Sequence, residues 1–193
     1  MDAPIVFKAE GFNHTLALRI DGFSSEKEKK AFVYAVEREV RNCPEYKIWV
    51  AYLVDACGAN RCGVTGESID ECKLEIHHHP VGLFAIANAF VEKWVEEKKQ
   101  FCSFDIAAEI ISEHFLGHVG YVPLVTTIHQ KFHNGCIRIP MELVKGDYME
   151  LIARCNLRGE PLENVKRHMS VTRDDLECAW SAGRYPMSAV AEA

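Results

Sequence analysis

The sequence contains no apolar run near the ~20 residues that a bilayer-spanning helix requires, so no membrane association is expected. Its start, Met1-Asp2-Ala3-Pro4, lacks a basic stretch followed by an apolar one, and no secretory signal is read there. Cysteine is too sparse and too irregular for a disulfide scaffold. The eight cysteines fall at 43, 57, 62, 72, 102, 136, 155 and 178, and without export they are expected to be reduced thiols in a cytoplasm. Positive charge is not in excess: 22 Lys and Arg against 28 Asp and Glu give a net charge of −6. That excludes a protein that coats nucleic acid nonspecifically, though not one that touches a few phosphates. Internal repeats and Gly/Ser-rich or Pro-rich linkers are absent, and no Gly-x-Gly-x-x-Gly or Gly-x4-Gly-Lys-Ser/Thr run offers a nucleotide-cradling loop.

What is present suits a folded chain. Apolar residues make up 48% of its 193 positions, and a chain of that length buries on the order of 70% of its unfolded surface. Ile5-Val6-Phe7 and Leu16 to Ile20 flank Gly11-Phe12-Asn13-His14, a β-hairpin pattern. Ser24 or Ser25 caps a helix to about Val40. Lys47 to Val54 fits a buried helix or a strand. Gly58, Gly63 and Gly66 mark a turn-rich stretch, and Lys73 to His79 reads as a strand stopped by Pro80. Amphipathic helices are expected at 83–99 and, capped by Ser103, at 103–116. An extended segment to Val125, a short helix capped by Thr126 or Thr127, a small strand at 136–139, a helix at 141–155 and another from Arg173 to Ser181 complete the reading. Strands and helices mix without βαβ alternation, so the class is α+β. The segments are an N-terminal hairpin and helix (1–56), a central core with helical insertion (57–140) and a C-terminal helical segment (141–193), within one compact domain.

Histidine placement carries the chemical signal. Seven of the nine histidines (77, 78, 79, 114, 118, 129, 133) fall between 77 and 133. On a helix, His129-x-x-x-His133 puts two imidazoles on one face, one turn apart, able to share a divalent ion. Along a strand, alternation sends His77 and His79 one way and His78 the other. A metal site needs a third ligand from elsewhere in the sequence, and a neighbouring His can then serve as base. His114, one turn after Ile110, reads as a partly exposed packing residue, and Lys166-Arg167-His168 with Arg173 as a solvated face.

Leu74-Glu75-Ile76-His77-His78-His79-Pro80 and Leu124-x4-His129-x3-His133, with the turn Cys62-Gly63-Val64-Thr65-Gly66 upstream, resemble the motifs of the HNH, or ββα-metal, endonucleases, phage-encoded members among them. The resemblance implies a ββα-metal core over about 57–139. His77, His129 and His133 would hold one divalent ion (Zn, Mg, Mn or Ni), with imidazole ligation leaning toward a transition metal. His78 would be the general base. The position of the family's middle Asn is Gly120, which leaves His118 as the residue that orients the base. Cys57-x4-Cys62 supplies only half of a zinc knuckle, because Val125 and Ile128 stand where a second Cys pair would. The implied activity is phosphodiester hydrolysis on nucleic acid, DNA in the first place, in a host cytoplasm. The second reading is a non-catalytic, metal-stabilised binding or adaptor protein, which leaves a protein partner open.

Overall fold

Ser25 decides where the first helix starts: its side chain accepts the backbone N–H of Glu28 at 3.3 Å, satisfying a donor of the first turn. The helix, α1 (Glu26–Asn42), buries Phe32, Val33, Val36, Glu39 and Val40 along one face. This computed structural model describes residues 6–8, 15–19, 22–155 and 157–179. The hairpin's turn at 11–14 and the last two positions, 180–181, of the helix expected from Arg173 to Ser181 lie outside the described residues. Among those described, eight helices accompany a three-stranded and a two-stranded antiparallel sheet, an α+β fold.

The chain forms two compact units, each drawn from separated stretches. The first takes residues from Met1–Trp49, Leu83–His118 and Met149–Leu157. In it β1 (Val6–Lys8) pairs antiparallel with β2 (Thr15–Arg19), and β2 with β4 (Phe101–Cys102). Helices α1, α3 (Leu83–Glu96) and α4 (Ser103–Phe115) pack on one another through Val33, Val36, Ile86, Phe90, Ile106 and Ile110, none of which reaches solvent. The helices expected at 83–99 and 103–116 thus belong to this unit. At the charged end of α3, Lys29 pairs with Glu92, and Glu109 accepts from both Lys93 and the Trp94 indole.

Ser103 does not cap α4. Cys102 holds the cap position, and the Asp105 carboxylate accepts its N–H at 2.8 Å. Ser103 points inward instead and donates to the buried Glu39 at 2.8 Å. His114 is 1% exposed rather than partly exposed. Its Nδ1–H donates to the Ile110 carbonyl at 2.7 Å, and its ring stands edge-on to Trp49 and Tyr46.

The second unit takes residues from Val50–Gly82, Val119–Tyr148 and Arg158–Ala193. Here β3 (Leu74–His78) pairs antiparallel with β5 (Tyr121–Val125), and α5 (Thr126–His133) follows β5 directly. Val122, Leu124, Val125, Ile128, Ile137 and Ile139 form its core with Cys62. The Cys62 thiol sulfur accepts the N–H groups of Val125 (3.4 Å) and Thr65 (3.5 Å), so it works as a core acceptor. Helices α7 (Gly159–Met169) and α8 (Arg173–Ala179) come from the C-terminal stretch.

Lys47 to Val54, open between helix and strand, is helical, within α2 (Pro44–Ala56). Three local expectations give way, each for a physical reason. Val125, not a threonine, holds the α5 cap position, because β5 runs to the helix without a turn between them. Residues 136–139 bury Ile137 and Ile139 without a strand partner among the described residues. The helix expected at 141–155 is cut. Met141–Leu143 makes a single 3-10 turn, Lys145 bridges back to Tyr121, and Gly146 adopts φ +91°, a left-handed conformation that ends helices. Only α6 (Tyr148–Arg154) remains helical there.

Burial holds His114 neutral, its pKa lowered from 6.5 to about 4. The unfolded chain takes up this proton first as pH falls below 6.5, so stability declines from there and levels off near pH 4, by up to roughly 3 kcal/mol. Urea unfolding across pH 4–7 is expected to show this acid limb, and His114→Phe to make it shallower, the remainder coming from His77 and His79, whose pKa values burial also lowers.

Candidate metal centre

Alternation along β3 selects which histidines meet. Glu75 and His77 share one face, and His78, paired with Tyr121, turns to the other, where it is 5% exposed. Because α5 starts at the end of β5, its first two turns return over the Glu75–His77 face. Ile128 enters the core, Phe132 packs edge-on against His77 with ring centroids 4.5 Å apart, and His129 and His133 complete the cluster. The His77 ring lies 4.9 Å from that of His129 and 5.3 Å from that of His133.

One nitrogen from each of His77, His129 and His133 falls within 4.8 Å of the others. Ligands on a tetrahedral ion at ~2.0–2.1 Å stand about 3.3 Å apart, so modest side-chain rotations bring all three into range. The donor set suits a transition metal. The Nδ1–H of His129 donates to Glu75 Oε2 at 2.6 Å, which directs its Nε2 lone pair toward His133 Nε2, 2.9 Å away. A carboxylate behind a histidine is the usual support of a metal ligand. The buried Nε2 of His77 has no hydrogen-bond partner. Desolvation, reinforced by the neighbouring imidazoles, lowers the His77 pKa to about 2. The ring is therefore neutral across the physiological range and keeps one nitrogen lone pair. Lys73 and then His129 hold the Glu75 carboxyl below the ordinary range, so it stays ionised.

The cluster extends further than the three. His79, 1% exposed, also has an orphan Nε2, and its pKa falls to about 3 through burial and the nearby His168. His168 comes from α7 and sits with its ring 4.6 Å from that of His79, not on a solvated face. The period of two that groups His77 with His79 also marks Glu75, a signal legible in the sequence. Nothing local marks His168, which reaches the cluster only through the tertiary fold.

His118 is not among these residues. It lies in the first unit, where its Nδ1 is 2.6 Å from a Glu113 carboxylate that also pairs with Arg154. Gly120 has a steric role of its own. It accepts the His79 N–H at 3.0 Å, and a Cβ built on it would stand 2.2 Å from the His79 carbonyl oxygen. No asparagine fits there.

A family model described as Bacteriophage G278-like virion protein matches residues 3–177. The chain belongs to the Bacteriophage G278-like virion protein family. Comparison with curated proteins and with solved structures gives no match. For this G278-like virion protein the HNH resemblance is corrected: the family spans nearly the whole chain and is one of virion proteins, not endonucleases. The reading of His78 as base and His118 as its positioning residue in phosphodiester hydrolysis falls with it, and the adaptor reading gains nothing from it. The phage association stands. The cytoplasmic placement does not, since the family description points to the phage particle.

Gly120→Ala is expected to destabilise this virion protein by at least ~2 kcal/mol, because the added methyl meets backbone that cannot swing aside. Denaturant titration checks it, with Gly135→Ala, whose Cβ meets open space but whose φ of +70° strains any side chain, as a smaller-effect comparison.

Proposed function

We propose that this protein is a building component of the phage particle whose second unit is clasped by one transition-metal ion, zinc in the first place, held by His77, His129 and His133. The observation that carries the reading is the convergence of three imidazole nitrogens within 4.8 Å, one of them backed by Glu75. The ion supplies a cross-link between β3 and α5, two elements whose connection in sequence is long. His77 is the buried ligand, His129 the ligand whose tautomer Glu75 holds, and His133 the exposed ligand. The small apolar core of this unit supports a structural role, because a bound ion adds its binding free energy to folding.

Elemental analysis of the protein from purified particles is expected to find about one zinc per chain. Chelation should lower the melting temperature by roughly 5–10 °C, the shift given by about 2.7 kcal/mol in a chain of this size. His129→Ala should melt where the chelated wild type does and gain nothing from added zinc. Absence of metal, with melting indifferent to both zinc and chelator, overturns the reading. Glu75→Gln keeps the fold but should weaken zinc binding about 10- to 100-fold in a competition titration, as loss of a ligand's supporting carboxylate does.

A further inference from the structure

The first unit holds a second polar feature that its fold does not use. The end of α1, the start of α2 and the outer side of α4 enclose a cleft of about 570 Å3, walled by Pro44, Phe104, Ala107, Ala108 and Ile111, with Glu39 lining it. That volume lies within the ~300–1,000 Å3 of ligand pockets. Glu39 is 4% exposed. Its Oε1 accepts from Ser103, and its Oε2 is buried with no hydrogen-bond partner. A half-satisfied buried carboxyl is costly when charged, and burial does push its pKa up, against the hydrogen bond from Ser103 and the charge of Arg38. A second carboxylate, Glu45, lines the same cleft. The carbonyl end of α1 adds negative partial charge, opposed by the N-terminal end of α2 at Pro44 and Glu45. Phe104, half exposed, offers an aromatic ring. No lysine, arginine or histidine lines the cleft to answer these groups.

We propose that this cleft receives a lysine side chain presented by another protein of the particle. Glu39 and Glu45 take the ammonium, and Phe104, Ala108 and Ile111 cover the methylene stem. Charge complementarity selects the occupant: the two acidic side chains of the cleft are Glu39 and Glu45, its other polar side chains are the neutral Asn42 amide and the Cys43 thiol, and the rest of its wall is apolar. An uncharged or anionic apolar group leaves the Glu39 oxygen unanswered. Membership in a virion protein family supplies the setting, a particle in which one protein meets others. The proposal is independent of the metal reading, because the cleft and the histidine cluster belong to different units.

The test uses the full chain and three probes of equal length, n-hexylammonium, n-hexanol and hexanoate, titrated by calorimetry and followed through the Ala107, Ala108 and Ile111 methyl resonances. Hexylammonium is expected to bind about tenfold tighter than hexanol, the low end for a charge-assisted hydrogen bond, and hexanoate weaker than either. Ala108→Trp, which fills the cleft from its exposed side, should abolish binding. Glu39→Gln should bring hexylammonium down to the level of hexanol. Should Glu39→Gln fail to fold, Glu45→Gln reads the same preference at an exposed position and should reduce it severalfold. The proposal is overturned by equal binding of the three probes, by no saturable binding, by persistence in Ala108→Trp, or by a charge preference that survives the glutamate substitutions.

Discussion

The second unit rests on the antiparallel register that sets Leu74 opposite Val125 and His78 opposite Tyr121. This ladder joins stretches about fifty residues apart and runs one step further, through the His79 N–H and the Gly120 carbonyl. Each pairing step fixes a side-chain face, so a slip of one residue would exchange Glu75 and His77 for Ile76 and His78. The absence of a side chain at Gly120 lets the two backbones close at that end. α5 then inherits its position from the end of β5, and no flexible connection intervenes between the strand pair and the helix that carries His129 and His133.

Buried polar groups in the two units raise the same energetic question in different chemistry. In the second unit, imidazoles avoid the cost of buried charge by remaining neutral, which leaves nitrogen lone pairs where several converge. In the first, a carboxyl group has one oxygen satisfied by Ser103 and another that is not. Stability alone does not favour either arrangement, since an apolar residue of similar volume would cost less. The proposed metal ion in the second unit and the proposed lysine in the first would each supply the bond that the folded chain leaves unmade.

Much of the secondary structure is legible in the sequence because local rules decide it. α1 follows from Ser25 and a 3.6-residue apolar period, and the same period puts Glu39, three residues after Val36 and seven after Phe32, on the buried face. α5 ends at Asn134-Gly135, where Gly135 takes φ +70°. The 141–155 stretch is misread because Met141, Val144 and Leu151 keep a helical period while Gly146 and the pairing of Lys145 with Tyr121 act against it. The meeting of His77, His129 and His133 follows from combining strand and helix periods, whereas His168 arrives through a tertiary contact that no spacing encodes. Chemistry is the least legible level. A histidine strand end and a helical pair specify a geometry able to grip an ion, and several functions share that geometry. Family membership, read over nearly the whole chain, directs it to the particle and away from hydrolysis.

The interleaving of the two units has a consequence for synthesis. Residues Met149–Leu157 fall in the first unit, whose other stretches end at His118, and the described residues from Arg158 onward fall in the second. A nascent polypeptide emerging from the ribosome therefore completes neither unit until Leu157 has been made. Both then mature together, in contrast to the N-terminal-first order of tandem domains. A chain cut short before Met149 lacks part of both units, so neither can form its full set of contacts.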